Sequence, residues 1–244
     1  MKAHRLPLQR LRSNLRDSAA LMPLPLGSKA RTQAWRKETD DSKLKYKNIA
    51  VLQGRSFTKE GTTIDCGGIC SIDIDGNAET SAEEILEQFV ELNPEFNWTF
   101  RTAAKRGCNL WFQCTGEIPK SFDLLDSDGN PCGEFRAGGR YTVVQGIHPE
   151  GMDYRVVVDL PAISMTDLDG VKWLDGRSLV EGAQPVISKS PHMTSHRHIV
   201  EERGPKGEGG NYLELVASFL PTEAHTTDKL QFALAGAIRV YSDN

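Results

Sequence analysis

The stretch Ile69-Cys70-Ser71-Ile72-Asp73-Ile74-Asp75-Gly76 constrains the fold more than any other part of this chain. Its apolar, β-branched character reads as a buried strand, and a strand sends alternate side chains to opposite faces. Asp73 and Asp75 therefore share one face at the strand's end. Two neighbouring carboxylates repel each other and resist desolvation, which is tolerable where a divalent cation lies between them or where both reach water. Two readings stand at this point: a metal site built on a strand, or a strand running out into the turn Asp75-Gly76-Asn77, whose residue types are common in turns.

With 244 residues and 39% apolar composition, the chain can bury one substantial core or two small ones. A net charge of -4 argues against a protein whose whole surface binds nucleic acid, but it is compatible with a local basic groove in a mildly acidic body. No apolar run approaches the roughly 20 residues that cross a bilayer, so a soluble chain without a membrane partner is expected. Five cysteines, an odd number, without a secretory signal pattern point to free thiols in a reducing, cytoplasmic compartment and to no disulfides.

Taken in order, residues 1–19 form a basic N-terminal segment in which Lys2, Arg5, Arg10, Arg12 and Arg16 are opposed by Asp17 alone. Leu6, Leu8, Leu11 and Leu15 fall near helical spacing there, which allows a nucleic-acid arm, a targeting helix or a frayed, solvated terminus. Pro23, Pro25 and Gly27 break any helix, and Trp35 is expected to anchor a short one. Asn48 to Gly54 reads as a strand, followed by a polar loop to Asp65 and then the Asp73 strand. Thr80 and Glu83 have capping-box spacing ahead of a stripe of Ile85, Leu86, Phe89 and Val90, which predicts a helix that Pro94 stops. Extended segments are expected at 98–102, 110–112, 133–136, 141–144 and 154–158, with turn chemistry at Asp126 to Asn130 and Gly146 to Gly151.

Beyond Pro161 the character changes. Residues 176–244 read as a polar linker with a glycine-rich stretch at 204–210, followed by two amphipathic helices, one around Leu213 to Phe219 and one around Leu230 to Tyr241. An apolar helix so close to the last residue suggests one module of a longer protein.

Glu134 supplies a third strand carboxylate, flanked by Arg136 and Arg140. Three carboxylates with nearby cations suit two-metal nucleotidyl transfer, although Glu134 also fits a surface residue paired with one of those arginines. The ordered set SIDIDG, a capped helix, TFRTAAKRGCNLWF and GEFRAGGRYTVVQGIHPEGMDY resembles the primase-polymerase domain of the archaeo-eukaryotic primase superfamily, found in plasmid, phage and virus replication proteins. MPLPLGSKARTQAW and NIAVLQG look like the lead-in of those domains. The similarity spans roughly residues 20 to 160.

That resemblance implies an α+β primase-like core over residues 20–175 with an RRM-like antiparallel sheet, followed by a small helical C-terminal extension. It implies DNA primase or polymerase activity in the replication of a mobile element, phage or virus, with Mg²⁺ or Mn²⁺ as cofactor. Single-stranded DNA template and NTP or dNTP would be its partners, alongside a helicase domain or protein. Asp73, Asp75 and Glu134 match the family's metal-binding carboxylates. Gly107-Cys108-Asn109 falls where the family has a small-x-His motif whose histidine contacts the nucleotide, so this chain departs from the pattern at Asn109. Asparagine donates a hydrogen bond but carries no charge. Lys105, Arg106 and Arg136 join Asn109 as candidate nucleotide contacts, and Arg101, Lys105, Arg106 and Arg140 as candidate template contacts. A different class of function is a catalytically weakened relative that binds nucleotide or template for recruitment, and Asn109 motivates it.

The remaining constellations carry less. His148 sits in Gly146-Ile147-His148-Pro149 and reads as structural or at most near the substrate. His192, His196 and His198 have helical metal-ligand spacing but no acidic or cysteine partner close in sequence, which favours loop histidines. None of the cysteines has zinc-knuckle spacing.

Overall fold

Alternating apolar runs separated by Gly, Asn and Asp turns give an α+β chain with few helices and a mostly antiparallel open sheet of eleven strands. The computed structural model describes residues 5–32, 34–103 and 105–181. The chain divides into two units, Met1–Ser190 and Pro191–Asn244, and every described residue lies in the first. The elements, in order, are α1 (Leu8–Asn14), β1 (Ala20–Leu24), α2 (Asp41–Leu44), β2 (Asn48–Leu52), β3 (Gly54–Lys59), β4 (Thr62–Ile74) and α3 (Ala82–Leu92). Then follow β5 (Arg101–Ala103), β6 (Cys108–Cys114), β7 (Phe122–Leu125), β8 (Pro131–Arg136), β9 (Tyr141–Ile147), β10 (Asp153–Val158) and β11 (Ile163–Met165). The strand order is β1-β2-β9-β10-β5-β6-β4-β8-β7. Two further strands share edges with partners already in this path: β3 pairs with the first half of β4, and β11 runs parallel to the second half of β6.

The central strand β4 is longer than its apolar signature. The polar loop expected between Gly54 and Asp65 is instead a hairpin of β3 with β4, in which Phe57 and Ile64 point into the core and polar residues point out. Glu60 and Gly61 close it with φ values of 52° and 75°, the two positive angles that a two-residue primed turn needs to match strand twist.

Each face of β4 has its own cover. Cys70, Ile72 and Ile74 share a core with Leu110 and Phe112 of β6, Phe135 of β8, and Ile85 and Phe89 of α3. The helix begins one residue later than its sequence pattern suggested. Ser81, rather than Thr80, is the N-cap, and the reciprocal partner is Glu84, rather than Glu83. The Ser81 backbone N–H donates to Glu84 Oε2 at 2.9 Å, and the Glu84 N–H to Ser81 Oγ at 3.2 Å. Trp173, Leu174 and Leu179 belong to the same core, so its packing continues past residue 175.

On the other face, Ile69 joins Trp111, Val144 and Val51 in a second core that includes Leu11 and Leu15. The basic N-terminal segment is therefore packed from α1 onward rather than frayed. Arg10 Nε bonds Asp159 at 3.0 Å, Arg12 pairs with Asp41 at 2.9 Å, and Asn14 Nδ2 donates to Asp159 at 2.5 Å. Trp35 anchors no helix. It lies in an irregular segment, buried against Phe57 and Tyr141 with ring centroids 4.6 and 5.6 Å away. All five cysteines are buried free thiols. No helix among the described residues is long and apolar enough to cross a membrane. The proposed C-terminal helices and His192, His196 and His198 lie outside the described residues.

Because Leu15 is fully buried beside Trp111, Leu15→Ala should cost about 2–5 kcal/mol of unfolding free energy, read from the urea midpoint. A cost below about 0.5 kcal/mol would show that α1 is not part of the core.

Candidate active site

The face of β4 that begins under α1 at Ile69 continues through Ser71 to Asp73 and Asp75, changing from apolar to polar to acidic along one line of side chains. Where α1 no longer covers the sheet, this line opens into a cleft of about 410 Å³, within the size range of small-molecule sites. Asp73 pairs with Asn109 on β6 and with Glu134 on β8, and directly opposed residues of an antiparallel ladder point the same way. The fold thus brings Asp73, Asp75, Glu134 and Asn109 to one face.

Arg136, two residues beyond Glu134 on the same strand face, binds both cross-strand carboxylates. Its Nη2 lies 2.5 Å from Asp73 Oδ2 and its Nε 2.8 Å from Glu134 Oε2. Its Nη1 donates to Thr142 Oγ1 at 3.1 Å, Thr142 Oγ1 to Gln53 Oε1 at 3.0 Å, Gln53 Nε2 to Ser71 Oγ at 2.7 Å, and Ser71 Oγ to Asn109 Oδ1 at 3.3 Å. This chain of buried bonds fixes the floor of the cleft and leaves Asn109 Nδ2 as the amide donor available to a ligand. Arg140 Nε lies 3.0 Å from Glu134 Oε1, at ion-pair distance but without hydrogen-bond alignment, so that oxygen is buried with no donor of its own.

Burial pushes the Asp73 carboxyl up to about 7; Arg136 and Lys29 pull against this, while Asp75 and Glu134 add like-charge repulsion. Burial alone would lower the Arg136 pKa, yet Asp73 and Glu134 together hold it raised. Cys108, behind the carboxylates, is pushed up to about 12 by burial and is no nucleophile.

Lys105 and Arg106 line the cleft beside Asp75. Gly107 makes this possible, because a Cβ there would fall 1.7 Å from the Ile74 carbonyl oxygen and the β5–β6 connection crosses tight against the end of β4. Lys105 pairs with Glu150, whose carboxyl this bond holds below its ordinary range. Arg101 is the one sequence-predicted residue that the fold keeps away. It pairs with Leu110, not Asn109, so it lies on the helix-covered face, 7% exposed, with Nη2 donating to the Phe96 carbonyl at 3.1 Å. Arg101 therefore does not line the cleft with the other candidate template contacts.

The cleft also contains groups that sequence reasoning passed over: Lys29, Lys59, Tyr141, Thr142 and Tyr154. Burial raises the Tyr154 hydroxyl to about 12, and that hydroxyl has no hydrogen-bond partner. His148 lines the cleft and also serves its own turn, where Nδ1 accepts from the Glu150 N–H at 3.2 Å.

Among the described residues no three His, Cys, Asp or Glu side chains stand together as a ready metal cage. The donor chemistry nevertheless suits a hard divalent cation. All three carboxylates offer oxygen, Glu134 Oε1 lacks a donor, and Asp75 is exposed without an ion pair among the described residues. No family model matches the chain, and no curated protein matches it.

Asp73 ordinarily titrates near 3.8 and does so near 7 when folded. Between these values the folded state holds a proton that the unfolded chain has released, so this group's contribution to stability falls as pH rises from about 4 to about 7. Asp73→Asn should remove that fall, whose slope approaches about 1.4 kcal/mol per pH unit. Urea midpoints of parent and variant should coincide at about pH 3, below both values, and favour the variant at pH 8. A parent more stable than the variant at pH 8 would mean that the Arg136 pair outweighs the burial of charge.

Proposed function

We propose that the chain is a metal-dependent nucleotidyltransferase of the DNA primase or polymerase type, acting on a nucleoside triphosphate and a single-stranded DNA template in the replication of a mobile element, phage or virus. The observation that carries this reading is the β4–β8 register. It places Asp73 opposite Glu134, with Asp75 next along the face, at the floor of a cleft whose rim is cationic. A cleft acidic at its floor and basic at its rim complements a metal-bound polyphosphate better than it does a neutral ligand. A primase-like fold is part of the same proposal; its support is the antiparallel sheet carrying the carboxylates on one face.

Asp73, Asp75 and Glu134 would hold Mg²⁺ or Mn²⁺, which when bound neutralises phosphate charge and makes a 3′-hydroxyl more acidic. Arg106 and Lys105 would bind phosphate oxygens at the rim, and Asn109 Nδ2 would donate to one of them. Arg136 is placed to exchange its carboxylate partners for phosphate, since both groups accept the same paired N–H bonds from a guanidinium. Arg140 and the β5–β6 connection would carry the template backbone.

Two observations favour a second reading. Arg136 already satisfies Asp73 and Glu134, as a cation would, and Asn109 stands where a charged imidazole is expected; both suit a recruitment module that binds nucleotide or template without turnover.

Labelled-nucleotide incorporation on single-stranded DNA with Mg²⁺ or Mn²⁺ tests the first reading. Asp75→Ala should lower incorporation roughly a hundredfold or more while leaving the urea midpoint unchanged or raised. Incorporation by Asp75→Ala at the parental rate would refute the carboxylate assignment. Nucleotide binding without incorporation in the parent would select the recruitment module.

A further inference from the structure

Six cationic side chains line the cleft against four carboxylates, in a chain whose total charge is -4. Pairing them leaves a remainder. Arg136 is committed to Asp73 and Glu134, Arg140 to Glu134, and Lys105 to Glu150. Lys29, Lys59 and Arg106 make no ion pair among the described residues. Arg106 belongs to the β5–β6 rim already assigned, whereas Lys29 and Lys59 come from segments with no place in the proposed machinery.

The backbones that carry these two lysines are fixed although their side chains are exposed. Tyr141 Oη donates to the Lys29 carbonyl at 2.7 Å, and Asn48 Nδ2 donates to the preceding Ser28 carbonyl at 2.9 Å. Lys59 closes β3 with its ammonium 5.2 Å from the centroid of the Trp35 ring, and that ring is buried against Phe57 and Tyr141. Tyr141 therefore supports both lysines, the first through its hydroxyl and the second through its ring contact with Trp35. Arg31 occupies the same indole at 4.4 Å but is bonded to Glu60, which leaves the Lys59 charge to face the cleft. Two ammonium groups without an ion pair among the described residues, one on an aromatic ring and the other on an anchored backbone, line the cleft and are open to an external polyanion.

We propose that Lys29 and Lys59 form a phosphate-binding wall of this cleft, separate from the Lys105–Arg106 rim, for the phosphates of a nucleoside triphosphate or of a single-stranded backbone. The charge count stands by itself; the identity of the polyanion rests on the nucleotidyl-transfer reading. Ammonium groups are compact point charges suited to phosphate oxygens from either source.

The test uses the full chain and four variants: Lys29→Gln with Lys59→Gln, each alone and combined, and Lys59→Arg. Exposed Lys120→Gln, outside the cleft, is the control. Binding of inorganic tripolyphosphate is measured by calorimetry, and binding of a thymidine oligonucleotide by fluorescence anisotropy across a salt series. If the wall takes the triphosphate, the double variant should bind tripolyphosphate at least about tenfold more weakly at an unchanged oligonucleotide salt slope. If it takes the strand, the log-log slope should flatten by about 0.7 for each lysine removed. Lys59→Arg should behave as the parent in either case. A double variant matching the parent within about twofold on both probes overturns the wall, as does a parent that binds neither probe. Incorporation by the parent alongside an unaffected double variant would sink the wall alone, and absence of all binding and incorporation would sink the nucleotidyl-transfer reading with it.

Discussion

Arg136 bridging Asp73 and Glu134 across the β4–β8 ladder is the interaction on which the cleft depends. A carboxylate in the middle of a sheet has lost most of its water, and an unpaired buried charge is costly, so the register that buries Asp73 also has to supply a counter-charge. It does so from two positions along β8, because residues two apart on a strand share a face. The guanidinium is itself held by Thr142, and through it by Gln53, Ser71 and Asn109, so the polar atoms under the carboxylates form one connected set drawn from five strands and connections. Burial of Asp73, reinforced by the like charges of Asp75 and Glu134, outweighs the attraction of Arg136, and the carboxyl accordingly titrates near neutrality. The same neighbouring carboxylates would give a divalent cation its affinity.

The position of the cleft follows from unequal covering of the two faces of the sheet. Beneath α3 the face is apolar to the end of β4, from Cys70 to Ile74. The opposite face is apolar only as far as α1 and Trp111 extend, and its line of side chains passes from Ile69 through Ser71 to the aspartates as that cover ends. Hence a short amphipathic helix that contacts none of the carboxylates still sets where polar side chains can reach solvent.

Much of this was legible in the sequence, and the gaps have physical reasons. Alternation placed Asp73 with Asp75 and Glu134 with Arg136, because both strands carry apolar residues between their polar ones. Their mutual register was not legible, since nothing local to SIDIDG or GEFR fixes which residues face each other. The direction of Arg101 was not legible, because Arg101 and Thr102 are both buried and polarity on β5 does not report which face a side chain takes. The helix cap slipped by one because Thr80-Ser81 followed by Glu83-Glu84 satisfies the capping box in two registers. The β3–β4 hairpin was hidden by its polar outer face; the flanking Phe57 and Ile64 around Glu60-Gly61 were the available signal. Lys29 and Lys59 had none, being about 14 or more residues from Asp73 in sequence and joined to it only by tertiary structure.

On the proposed function, Asp73, Asp75 and Glu134 would together bind a divalent cation in competition with Arg136 and with protons. Titration of the parent and of Asp73→Asn with Mn²⁺, followed by the loss of free-ion electron paramagnetic resonance signal between pH 6 and pH 8, tests it directly. Mn²⁺ affinity in the parent should rise with pH and level off above about 7, as Asp73 gives up its proton, and should fall at least about tenfold in the variant at pH 8. Absence of Mn²⁺ binding at pH 8, or equal affinity in parent and variant, would contradict it.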